Sequence, residues 1–195
     1  MKKAILLGVA ALCMASCGSS SKENAIQRLP SDQISVFTSS DKQLENAYNW
    51  AKKMALSYAH DNSDPVGYWY EAALPQREAF CMRDVSHQSV GAQILGLARH
   101  NKNMFTRFVE NISEEKDWCT YWEINRYNKP APADYTNDKE FWYNLNANFD
   151  VMQACLKMYQ WTGDAGYLTD PLFTNFYEKS VNEYVHRWAL EPEKI

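Results

Sequence analysis

The chain carries no excess of basic residues: 20 Lys and Arg face 24 Asp and Glu, a net charge of −4 over 195 residues. No basic stripe is available to neutralise a phosphate backbone, which argues against nucleic acid as a partner. Metal-binding spacing is also missing. Of five cysteines, Cys81, Cys119 and Cys155 lie in the body of the chain without a C-x-x-C or Cys/His pattern, so neither a zinc site nor a disulfide framework is encoded and at most one disulfide can form. No cofactor motif takes their place. Strand-type alternation is scarce as well, with Gln33 to Thr38 and Trp118 to Ile124 the candidate short strands.

The N-terminus is apolar, yet shorter than the roughly 20 residues a membrane-spanning helix needs. Lys2 and Lys3 precede the run Ala4 to Leu12, and Met14-Ala15-Ser16 sets small residues before Cys17. This pattern resembles a bacterial lipoprotein signal covering residues 1–17. The resemblance implies that Cys13 leaves with the signal and that Cys17 becomes the lipidated first residue. Residues 18–40 read as a tether and lead-in, with Gly18-Ser19-Ser20-Ser21 at the start. Gly18 rather than Asp after the cysteine points to the outer membrane of a Gram-negative bacterium.

What is abundant is hydrophobic and aromatic: 46% and 14% of residues, including 7 Trp and 12 Tyr. That content suits one globular domain, and aromatic rings offer flat faces with polar edges on which sugars stack. From Asp41 to about His60, apolar residues recur on one face of a helix, Leu44, Tyr48, Ala51, Ala55 and Tyr58 among them. Between Val85 and Arg99 they point in every direction, which predicts a helix buried all round. Met104 to Ile112 returns to one stripe, after a short turn at His100 to Asn103. Phe149 to Trp161 again lacks a polar face, and Gly163 is placed to end it. Asp170-Pro171 predicts an N-cap and first helical residue for a last amphipathic helix.

This alternation of one-sided and all-round apolar helices predicts an all-α fold over residues 41–195, part of a double ring with about five helices present. The long connections, His60 to Asp84 and Glu115 to Ala147, both precede inner helices and therefore belong to one end. Loops of that length are usually functional.

Two segments then resemble the six-hairpin glycosidases, whose fold is a closed (α/α)6 ring. Arg83-Asp84-Val85-Ser86-His87-Gln88, following Ala79 to Met82, is similar to the W-L-R-D-S-x-x-Q segment of bacterial exo-α-1,6-mannosidases; Thr162-Gly163-Asp164 looks like the turn between their hairpins. Cys81-Met82 departs from the mannosidase pattern, so mannose specificity does not carry over. Five helices are fewer than twelve, and a chain stopping at Ile195 suggests an N-terminal part of such a domain, inactive alone if machinery lies beyond it.

The resemblance implies a glycoside hydrolase, with an oligosaccharide or polysaccharide as partner and Arg83 and Asp84 holding sugar hydroxyls. The plainer reading of that pair is an N-cap and a salt bridge. Glycoside hydrolysis needs two carboxyl groups, in the inverting case about 6.5–9.5 Å apart. Glu123, between Trp122 and Asn125, is the candidate general acid, against the plainer reading of an ion pair with Arg126. Asp150, just inside a helix, is a weaker candidate that also suits the positive helix end. Glu78 reads as loop support paired to Arg77 or Arg83, and His87 as a core or rim histidine. Trp69, Trp122 and Trp142 are the expected sugar platforms, with Tyr143, Asn144 and Gln88 as hydroxyl partners. Two competing functions share these residues: a non-catalytic glycan-binding lipoprotein, and a lyase on uronic-acid polymers using His87, Tyr143 and Arg83.

Overall fold

The computed structural model describes residues 35–73 and 76–190. The signal segment, the Cys17 lipidation position and most of the tether lie outside the described residues. No helix among those described is long and apolar enough to cross a membrane.

The described residues are mostly helical with small antiparallel sheets, so the all-α expectation holds only in part. In chain order the elements are α1 (Lys42–Leu56), β1 (Ala59–His60), β2 (Trp69–Tyr70), β3 (Ala79–Cys81), α2 (Met82–Ile94), α3 (Ala98–Val109), β4 (Glu123–Asn125), β5 (Tyr135–Asn137), β6 (Glu140–Phe141), α4 (Ala147–Thr162), α5 (Gly166–Thr169) and α6 (Pro171–Lys179). The last helix runs on through a π-helical stretch, Ser180–Tyr184, into α7 (Val185–Arg187). Three two-stranded sheets pair β1 with β2, β3 with β4 and β5 with β6. Of the two strands expected from sequence, the second forms at its end only, as β4; of the first, Gln33 and Ile34 lie outside the described residues and residues 35–38 are irregular.

The caps account for several boundaries. Asp41 accepts from the backbone N–H of Gln43 and Leu44 and starts α1. Asp170 accepts from Leu172 N–H with Pro171 in the first helical position. Asp170→Ala is expected to cost about 1 kcal/mol, read as a lowered thermal midpoint. Gly163, at φ 70, closes α4 in the left-handed conformation that glycine adopts most readily. The turn before α3 corrects the expectation: it falls at Leu95 to Leu97 rather than His100 to Asn103, because Gly96 takes φ 81 there. His100 and Asn101 therefore belong to α3, and α2 starts earlier than expected, at Met82.

Helices α2 and α4 pack side by side and run in the same direction. At one end Met82 N–H donates to the Trp122 carbonyl, while Asn148 in the first turn of α4 takes Thr120 N–H and donates to the Trp118 carbonyl. Toward the other end, Asn101 on α3 reaches the Ser89 carbonyl of α2 and the Met158 sulfur of α4. The core between them holds Phe80, Met82, Val85, Phe105, Phe108, Val151, Met158, Phe173 and Phe176. Neither central helix is buried all round. Arg83, Asp84, His87, Gln88, Gly91 and Ile94 form an exposed stripe on α2, and Phe149, Gln153, Leu156 and Gln160 form one on α4. No residue of α1 is buried; its ties include Tyr48 and Lys52, which bond Ser35, whose N–H donates to Ile94 at the end of α2.

Candidate functional site

The two long connections meet. β3 pairs antiparallel with β4 so that Cys81 faces Glu123 and Phe80 faces Ile124. Arg83 and Asp84, two and three residues past that pairing, therefore share one end of the molecule with Trp122 and Glu123. The cause is local: β3 runs straight into α2, and the Met82–Trp122 hydrogen bond of 2.8 Å locks the partner strand to the first helical residue.

Asp84 is not the helix cap that one reading of the sequence gave it. Cys81 holds the N-cap position without a side-chain cap bond, and Asp84 sits in the first turn of α2. It still favours the positive helix end there. Arg83 and Asp84 are both exposed, and neither forms an ion pair with another described residue.

Glu123 is 2% exposed. Arg77 donates through Nη2 to one of its oxygens and, at 2.9 Å, to Asp134. The expected Arg126 pairing does not form, because Arg126 is taken by Asp64 at 2.6 Å and by Glu78 at 2.7 Å. Glu78 thus supports the loop, through Arg126 rather than Arg77 or Arg83. Burial, reinforced by the Asp134 carboxylate and opposed by Arg77, pushes the Glu123 carboxyl up to about 8. The other Glu123 oxygen is buried with no partner. A proton on Glu123 satisfies this arrangement, since two carboxylates sharing one guanidinium leave one negative charge in excess.

Asp134 and Arg77 are residues whose roles sequence reasoning missed. Asp134 lines an open cavity of about 480 Å³ with Tyr135, Phe141, Trp142 and Tyr143, which Glu123 itself does not reach. Its carbonyl accepts from Trp142 N–H at 2.8 Å, which ties together the backbone of two residues on the cavity wall. The available signal was an isolated acid in Pro130-Ala131-Pro132-Ala133-Asp134-Tyr135, where prolines stiffen a long loop.

Trp122 and Trp142 stack with planes 16° apart and centroids 6.1 Å apart, and Trp142 is 61% exposed. Trp122 is itself partly buried against the core, so Trp142 is the exposed ring of the pair. Trp69 is not the platform expected: it is fully buried, stacked on His60 at 4.1 Å, and its indole N–H donates to Asp64. The apolar neighbours Val66 and Phe80 draw it into the core. Tyr143 lies between Phe141 and Trp188. The Asn144 carbonyl accepts from Ala147 N–H at the start of α4. Asp150 bonds Asn146 in that same first turn. Gln88 and His87 line a separate cavity of about 330 Å³ against Tyr70 and Ala55, so the structure does not bring them to the Trp142 cavity.

Cys81, Cys119 and Cys155 are free and buried. Burial raises all three thiols, Cys119 to about 11, which keeps them protonated and poorly nucleophilic. Among the described residues no three His, Cys, Asp or Glu side chains gather to hold a metal ion.

No protein-family model, curated protein or solved structure matches the chain.

Proposed function

We propose that this chain acts on carbohydrate as a glycoside hydrolase built on part of a helical toroid, working at the cell envelope through lipid on Cys17. The observation that carries the reading is the exposed Trp142 ring, stacked beside Trp122 and hydrogen bonded through its backbone to Asp134, with Arg77 and the buried Glu123 behind. A sugar ring resting on Trp142 shares its cavity with Asp134. Glu123 is the proton donor of this reading, and Asp134, which shares the Arg77 guanidinium with it, is the carboxyl group on the cavity wall. Arg83 and Asp84, exposed at the same end, hold hydroxyls further along. Asp150 is the further carboxylate at that end, a weak candidate for activating water.

The burial of Glu123 favours a second reading, a glycan-binding protein without turnover, in which the Arg77 cluster only stiffens the loop. Incubating the full chain with a panel of polysaccharides separates the two. Hydrolysis is expected as release of reducing ends, and Trp142→Ala is expected to weaken binding roughly tenfold, a ring contact being worth about 0.5–1.5 kcal/mol beyond its buried area. Binding without any release of reducing ends supports the second reading, and no binding at all defeats both.

A further inference from the structure

Asp117 and Trp118 adopt left-handed backbone conformations in succession, φ 51 and 64. For a ring as bulky as Trp this is strongly disfavoured, so the surroundings must hold it there. They do so from three elements. Trp118 N–H donates to the Ser113 carbonyl at 2.9 Å, and the fully buried Asn148 of α4 donates to the Trp118 carbonyl at 2.9 Å. At the end of α7, Arg187 pairs with the Asp117 carboxylate at 2.6 Å, and Trp188, the next residue, donates to the Asp117 carbonyl at 3.1 Å.

The result is an indole on the wall of a cavity of about 380 Å³, with the Lys179 ammonium 4.6 Å from the ring centroid. Lys139 lines this cavity and also the one that contains Trp142. The two hollows therefore adjoin, each with a tryptophan in its wall. Their charges are mostly acidic. Glu114, Glu115 and Glu183 line the first, Asp134 and Glu140 the second; Asp117 is paired with Arg187, Glu183 with Lys179 and Asp134 with Arg77, which leaves Glu114, Glu115 and Glu140 as the acidic excess over Lys139.

The geometry points to a second sugar subsite on Trp118, so that one oligosaccharide runs from Trp142 past Lys139 to Trp118, and to a neutral glycan as its ligand. The inference rests on the carbohydrate reading above and adds chain length and charge to it. Carboxylates along the groove repel a uronic-acid chain, while hydroxyl groups can donate to them.

The test titrates the full chain with gluco- and manno-oligosaccharides of increasing length and with galacturonate oligomers of the same lengths. Affinity is expected to rise with length for a neutral series and to stay far lower for the uronates. Trp118→Ala is expected to remove the gain of the longer oligomers, roughly tenfold, while leaving the shortest unchanged; Trp118→Tyr should restore most of it. Trp142→Ala should weaken every length. Thermal unfolding of each variant separates lost stacking from lost fold, and the tyrosine variant serves if the alanine variant does not fold. If Trp118→Ala, or Trp118→Tyr in its place, binds long and short oligomers in the wild-type ratio while Trp142→Ala loses both, the second subsite is wrong and the first stands. Tighter binding of galacturonate than of either neutral series overturns the charge argument. If no oligomer binds, the carbohydrate reading falls and this inference with it.

Discussion

Replacing Trp69 with alanine is expected to destabilise the protein by about 3–5 kcal/mol, the range for deleting a buried aromatic side chain. The indole is fully buried, stacks on His60 and lies against Phe80. Its N–H also donates to Asp64 at 2.8 Å, and Asp64 holds Arg126, which in turn holds Glu78. Truncation thus opens a cavity and strips one donor from a buried carboxylate, two penalties with the same sign. The measurement is a denaturant titration of wild type and variant. A variant with an unchanged unfolding midpoint but weakened glycan binding would return Trp69 to the role of an exposed platform and contradict its placement in the core.

Glu123→Gln is expected to lower glycan hydrolysis by about 10²- to 10⁴-fold, the usual contribution of a positioned acid, while leaving glycan binding within a few-fold of wild type. Glutamine preserves shape and can still accept from Arg77, but it has no proton to give. The same variant reports on stability. In the folded protein the carboxyl is raised to about 8, whereas the unfolded chain releases the proton near its ordinary value of 4.5. Between those values the folded state binds more protons than the unfolded one, so stability falls as pH rises through the window and is lowest, for this group, above it. Denaturation at pH 5, 7 and 9 is therefore expected to show the wild type losing ground to Glu123→Gln as pH increases, and hydrolysis by the wild type should decline as pH rises through about 8. A turnover loss no larger than the loss of folded protein would assign Glu123 to loop support alone.

Much of this architecture is local and was readable. Asp170-Pro171 and Gly163 act within one turn of the backbone they cap, so the start of α6 and the end of α4 follow from residue type. The meeting of the two long connections was legible in outline too, because both precede central helices. Its instrument was not. The pairing of Cys81 with Glu123 joins positions 42 apart, and two short strands of three residues carry no periodic signal of their own. The Gly96 turn was missed because the apolar pattern continues across it, so only the positive φ marks the break.

Amino-acid order alone determined the presence of the main helices, the caps at Gly163 and Asp170, the acidic balance and the concentration of aromatic and charged residues in two connections. Each depends on side-chain type or on neighbours a few residues apart. Tertiary structure decided which tryptophan is core and which is exposed, that Arg77 rather than Arg126 meets Glu123, and that Asp134, bonded to the same guanidinium, lines a cavity that Glu123 does not reach. Those outcomes depend on burial and on competition among partners distant in the chain: once Asp64 and Glu78 occupy Arg126, Glu123 is left to Arg77. Composition and spacing do not encode the winner of such a competition.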